Sequence, residues 1–280
     1  MQDSNFAGGR GEQFMKIILI GLGAIGRMII EHLADGASPV RIIGVAVRPA
    51  RAAEARGELA SGIAIFSSPE EIIAAKPDMV VECAGQAALR QYGETLLAAG
   101  LDLMVIATGA LADGAYRARL LAAAEAGGAR LHVPAGATAG LDGLGALKAG
   151  GLDKVTYIST KPCHAWKGTP AEQDFDLDGL TESTVIYQGG AAAAALDYPQ
   201  NANLAATIAL AGAGFDNTFV RLVADPHAVI NCGRIEAHGK FGHMIMEMRG
   251  QPMPTNPKTS AVTALGLIYA LTKETSRLVI

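Results

Sequence analysis

The run Met15-Lys16-Ile17-Ile18-Leu19-Ile20-Gly21-Leu22-Gly23-Ala24-Ile25-Gly26 limits the fold of this chain more than any other stretch. A short apolar run stops at a glycine cluster, and an apolar-periodic segment, Arg27 to Leu33, follows. This is the pattern of a buried strand, a tight turn and a helix. Gly21 can take the backbone angles the turn needs, Gly23 has no side chain to hold a pyrophosphate off the backbone, and Gly26 lets the helix pack close to the strand. The helix N-terminus, entered through Ala24 and Ile25, offers unpaired N–H groups and a partial positive charge to a phosphate. A bare G-x-G-x-x-G spacing is a weak signal. Its place between a strand and a helix predicts dinucleotide binding.

Composition sets the outer bounds. A chain of 280 residues can bury a large core and suggests about two domains. Half of it is hydrophobic and only 5% aromatic, which suits closely packed α/β layers. The formal charge of -4 gives no electrostatic reason to expect nucleic acid or an anionic membrane as partner. No apolar run approaches the roughly 20 residues that span a bilayer. Residues 1–14 read as a disordered extension without the pattern of a secretory signal, and Met15 as the functional start. Cys83, Cys163 and Cys232 are scattered and not at metal-ligand spacing, so no metal is expected and a reducing cytoplasm fits best.

Strand and helix patterns alternate after the glycine turn. Strands are predicted at Arg41 to Val47, Asp78 to Cys83, Leu101 to Ala107 and Arg130 to Val133, with helices at 86–99 and 114–127. That alternation implies a Rossmann-type doubly wound parallel sheet over residues 15–139. Ligands sit at the carboxyl ends of such strands, so loops 21–26, 83–86, 107–110 and 134–139 are expected to converge, with Ala84 on the edge of a cofactor crevice. Over residues 140–257 the pattern becomes α+β. Val155 to Lys161, Ser183 to Gln188, Thr218 to Val223, Gly233 to Gly239 and His243 to Arg249 alternate as strands of a mostly antiparallel sheet. Helices are expected at 191–197 and 203–212, and a last one from Lys258 to Leu271 is expected to return to the nucleotide domain within 258–280. An open antiparallel sheet invites pairing with a second copy, so a homodimer is expected.

The second strand ends in Val47-Arg48-Pro49-Ala50-Arg51, without the acid that usually binds an NAD ribose. Arg48 and Arg51 can pair with a 2′-phosphate, or they are solvated loop arginines. NADP is expected to be accepted at least as well as NAD.

Four further segments fall in order along the chain: Pro134 to Asp142, Lys161-Pro162 leading to Ala165-Trp166-Lys167-Gly168-Thr169-Pro170-Ala171-Glu172, Pro199 to Thr207, and Asn256-Pro257-Lys258-Thr259-Ser260. With the glycine turn, they make the chain resemble the L-aspartate dehydrogenase family from Met15 to Ile280. The resemblance implies oxidative deamination of L-aspartate with hydride transfer to NAD or NADP. Its first product is iminosuccinate, which hydrolyses to oxaloacetate and ammonia or passes to NAD biosynthesis. It also implies cofactor contacts at Ala137 and Asn203. Ala137 lies in a small-residue loop where a nicotinamide can approach, or in a plain tight turn. Asn203 can bond the cofactor, cap a helix, or do both. Lys161 and Lys167 are candidates to hold the carboxylates of aspartate, and Lys258 with Thr259 to bind an anion at a helix N-terminus or merely cap it.

The chain departs from the family at the catalytic position. The family carries Asn-x-His in the strand after an Asp-Pro turn, whereas this chain reads Asp225-Pro226-His227-Ala228-Val229-Ile230-Asn231-Cys232-Gly233. Gly233 has no group to move a proton. His238 falls on the opposite strand face by simple alternation. His164 and His227 are the nearest surrogates, each otherwise a surface histidine. Three readings stay open: an aspartate dehydrogenase, a related amino-acid dehydrogenase or imine reductase with another substrate, and a cofactor-binding protein without turnover.

Overall fold

A computed structural model describes residues 14–34, 38–199, 202–253 and 256–279, and the side chains of Pro257 and Lys258 lie outside the described part. The expected extension over residues 1–14 thus falls outside it except for Phe14, as do Gln200 and Asn201.

The first half builds six strands: β1 (Met15–Ile20), β2 (Val40–Ala46), β3 (Ala64–Phe66), β4 (Met79–Glu82), β5 (Leu103–Val105) and β6 (Leu131–His132). They pair in parallel in the order β3-β2-β1-β4-β5-β6. Helices α1 (Ala24–Leu33), α2 (Ala52–Glu58), α3 (Pro69–Ala75), α4 (Gln86–Ala98) and α5 (Gly114–Gly127) connect them. β1 reads as an unbroken apolar run because both of its faces are covered. Ile17 and Leu19 pack in a cluster with Ile29 and Leu33, while Ile18 and Ile20 pack with Leu89, Leu96 and Leu97. Strand order reverses between β1 and β4, and small residues follow both strands there, Gly21 after β1 and Ala84-Gly85 after β4, which opens a crevice at the switch point.

Then follow α6 (Leu141–Gly150), β7 (Leu152–Pro162), α7 (Ala171–Asp174), β8 (Thr184–Gly190), α8 (Ala191–Asp197), α9 (Asn203–Ala211), β9 (Thr218–Asp225), β10 (Asn231–Gly239) and β11 (Gly242–Gly250). The second sheet runs β11-β10-β7-β9-β8. It is antiparallel as expected except where β7 and β9 run parallel. Its inner face carries Val155, Tyr157, Ser159 and Lys161 of β7, with Val220 and Leu222 of β9 and Ile235 of β10, all buried.

A short pair, β12 (Pro252–Met253) and β13 (Asn256–Ser260), precedes the final helix α10 (Ala261–Glu274). This corrects the expectation of a helix from Lys258. Residues 256–260 are held extended by pairing with β12, and the helix begins only where the Ser260 side chain accepts from the Val262 N–H at 3.3 Å. The helix does return to the first sheet. Leu267, Ile268 and Leu271 join the cluster of Ile17, Leu19 and Ile29, each such burial contributing about 1.5–3 kcal/mol.

Candidate active site

The loops at the carboxyl ends of the first sheet line a trough walled by Gly21 to Ile25, Val47 to Arg51 and Cys83-Ala84. Gly21 has φ +108, and a Cβ there would stand 2.8 Å from the Cβ of Ala84. A Cβ on Gly26 would overlap the Gly21 carbonyl oxygen, so the turn and α1 are in backbone contact. Gly23 differs: a Cβ there meets nothing within 4 Å, and it would project into open space at the α1 N-terminus. A trough with that bare, amide-rich floor fits a dinucleotide pyrophosphate. Arg48 is exposed on its wall. Arg51 also lines it but is tied to Glu54 by contacts of 3.0 and 3.1 Å, while Arg27 pairs with Glu58.

Glu82 organises this rim, and sequence reasoning passed over it. Its carboxylate is fully buried and accepts from the backbone N–H groups of Ala84 at 2.7 Å, Gly85 at 2.6 Å and Ala107 at 3.1 Å. One side chain thus sets the loops after β4 and β5. Burial raises its pKa more than those amides lower it. The available signal was an acid inside the apolar run Val80-Val81-Glu82-Cys83, directly before Ala84-Gly85.

Ile25 is shared between the trough and a second cavity. That cavity is bounded by Thr108, Gly136, Ala137 and Asn203 on one side, Tyr157, Ser159 and Lys161 of β7 on another, and Asn231 and Gly233 of β10. Thr259, Ser260 and Thr263 complete it. The four loops expected to converge therefore lie along the trough and this cavity. Asn203 does not cap α9, whose cap position is Ala202. Its Oδ1 accepts from Gly109 N–H at 3.0 Å, and the Thr108 hydroxyl donates to its backbone carbonyl at 2.7 Å, which joins the loop after β5 to the cavity wall. Lys161 is only 9% exposed, with Nζ 5.3 Å from the Trp166 ring centroid. Asn231 is 8% exposed, and both its Oδ1 and Nδ2 are buried with no hydrogen-bond partner among the described residues. An unpaired buried carboxamide costs about 1–3 kcal/mol, so a polar ligand is its natural partner.

Other expected residues stand elsewhere. Lys167 pairs with Asp178 at 2.7 Å and is not among the cavity walls, because the turn after β7 carries it outward. His164 and His227 are exposed and also absent from the walls. His227 is held in its turn by donating its backbone N–H to Asp225 at 2.8 Å. His238 stacks on His243 at 6.1 Å, on the face of β10 away from Asn231. Lys258 sits in β13, three residues before α10, rather than at its N-terminus. Tyr157 was missed, since nothing in the local sequence marks it. Among the described residues no group of three potential ligands could hold a metal ion.

A glycine-floored trough at the switch point of a parallel sheet, continuous with a polar cavity under a second sheet, defines an NAD(P)-dependent oxidoreductase. Residues 21–134 match the NAD-binding domain of homoserine dehydrogenase, and residues 142–274 match the C-terminal domain of aspartate dehydrogenase. The chain is 44% identical to L-aspartate dehydrogenase of Cupriavidus necator, covering 92% of this chain and 96% of that protein. It is 41% identical to L-aspartate dehydrogenase of Pseudomonas aeruginosa, with the same coverage. The crystal structure of aspartate dehydrogenase from Thermotoga maritima superposes with a TM-score of 0.74 at 25% identity, covering 95% of this chain and 99% of that one. The chain belongs to the L-aspartate dehydrogenase family.

Proposed function

We propose that this protein interconverts L-aspartate and iminosuccinate, the latter hydrolysing to oxaloacetate and ammonia. The observation that carries this is the unpaired Asn231 carboxamide, which shares a cavity with Lys161 and opens through Ile25 to the glycine trough. A bound NAD(P) supplies the hydride acceptor. Gly21, Gly23, Ala24, Ile25, Gly26 and Ala84 are proposed to hold its pyrophosphate end. Ala137 leaves room for the nicotinamide, and Asn203 offers its Nδ2 donors, Oδ1 being engaged with Gly109. Lys161 is proposed to pair with a substrate carboxylate and Asn231 to hydrogen-bond the other polar end, fixing Cα in one orientation. Thr259 adds a hydroxyl to the same wall. Lys167, tied to Asp178, is left out of this scheme.

Arg48 is proposed to meet a 2′-phosphate, making NADP at least as good a cofactor as NAD. Residues 15–139 with α10 form the nucleotide unit in this reading, and 140–257 the substrate unit. The outer face of the second sheet exposes Val185, Phe219 and Ile245, which supports a homodimer. No helix among the described residues is long and apolar enough to cross a membrane. We place the enzyme in the cytoplasm. Gly233 favours a second reading, a related imine reductase with another substrate. Absorbance of the reduced nicotinamide, with oxaloacetate plus ammonia set against other keto acids, separates the two.

A further inference from the structure

Resting on the amino-acid dehydrogenase reading, we infer that the hydroxyl of Tyr157 stands in for the side chain missing at Gly233 and delivers the proton to the substrate nitrogen. Tyr157 and Ser159 are alternate residues of β7 on the inner face of the second sheet. Gly233 pairs with Ser159, and Ile235 pairs with Tyr157. With no side chain at 233, the tyrosine ring lies across the neighbouring strand. Its Cε2 and Oη both stand 3.4 Å from the position a residue-233 Cβ would take. The hydroxyl is therefore at the root of the absent side chain, inside the cavity that also holds Asn231.

Tyr157 differs from the tyrosines that serve packing. Tyr116 donates to the Leu89 carbonyl at 2.8 Å, and Tyr187 to the Gly190 carbonyl at 3.1 Å. Tyr157 instead lines the cavity together with Ser159, two residues further along the same face of β7. The other ionisable groups on that wall are Lys161 and Cys232. Burial pushes the Tyr157 hydroxyl up to about 12, so it keeps its proton at neutral pH and acts as a donor.

The step balances as follows in the direction of imine reduction, with the reduced nicotinamide as reductant. As hydride reaches Cα, the C=N π pair moves to nitrogen, the Tyr157 O–H bond breaks, and nitrogen takes that proton. The phenolate regains a proton from solvent. Amine oxidation is the reverse.

The test compares the wild type, Tyr157→Phe, Gly233→His and a protein with 3-fluorotyrosine at 157. Tyr157→Phe is expected to lower kcat for reductive amination of oxaloacetate by about 10²–10⁴-fold, with NADPH affinity unchanged. The fluorinated phenol ionises at lower pH, so the alkaline limb of its rate profile is expected to move to lower pH. Its fluorine resonance is expected to shift when succinate is added, a readout that needs no turnover and that survives if Tyr157→Phe fails to fold. An active wild type matched by Tyr157→Phe, an unmoved limb, or an unshifted resonance overturns the proposal. A wild type inert beside an active Gly233→His also overturns it while leaving the aspartate reading in place. If neither turns over although both bind NADPH, the aspartate reading fails and takes the proposal with it.

Discussion

A Cβ on Gly21 would stand 2.8 Å from the Cβ of Ala84, so the glycine turn and the end of β4 are in direct contact. Gly21 also needs φ +108, which alanine adopts only under strain. Gly21→Ala is expected to cost stability by about 1–3 kcal/mol or more. Gly23 sits at φ -91 with nothing within 4 Å of its Cβ position. Gly23→Ala should therefore melt within about 0.5 kcal/mol of the wild type yet lose most of the stabilisation that cofactor gives. Thermal melts with and without NADPH check both. Full cofactor stabilisation of Gly23→Ala would mean the trough does not hold the phosphates.

The two arginines of the trough are expected to divide unequally. Arg51 is already engaged by Glu54 and lies near Glu58, whereas Arg48 is exposed at the rim. Arg48→Ala should weaken NADP by about 1.5–3 kcal/mol, the range for a hydrogen bond to a charged group, and leave NAD nearly unchanged. Arg51→Ala should do less. Titration of both cofactors into each variant decides it, and equal losses for NAD and NADP would remove the phosphate role.

Asn231→Ala separates a ligand-binding role from a structural one. The wild-type carboxamide has no partner to lose, so the variant should melt at or above the wild-type temperature. KM for aspartate should rise, while affinity for NADPH stays as it was. A destabilised variant with unchanged KM would show that the residue serves the fold.

Glu82 gives a pH signature. Burial raises its pKa in the folded protein, and the amides of Gly85, Ala107 and Ala84 oppose this without prevailing. The folded state then holds a proton at pH values where the unfolded chain has released it. That contribution is complete below the ordinary glutamate pKa and is lost as pH rises through the raised value. Glu82→Gln cannot titrate, so the wild type should lose stability relative to the variant as pH rises through that window. Melting temperatures of the pair across mildly acidic to neutral pH test the sign. Because a glutamine amide would face backbone N–H donors, the variant should also bind cofactor more weakly.

The parallel, doubly wound character of the first sheet was legible because a buried parallel strand writes itself as an apolar run, and Gly21 to Gly26 fixed where its crevice opens. The three-residue β3, by contrast, is too short to show a period. The start of α10 was misread because Lys258 and Thr259 are drawn into β13 by pairing that only the folded chain supplies. Asn231 was visible through its place beside Gly233, but its lack of a partner was not. Tyr157 was missed because it stands against Gly233, far off in sequence, whereas Glu82 carried a local sign, an acid in an apolar run before Ala84-Gly85, and only its reach to Ala107 was hidden.

Absorbance of reduced nicotinamide tests the central claim most directly. The purified protein, given NADPH, ammonia and oxaloacetate, is expected to consume NADPH, and to stop when ammonia is withheld. Other keto acids should react more slowly at equal concentration. Faster consumption with a different keto acid, or none with oxaloacetate despite bound NADPH, would contradict the assignment to aspartate.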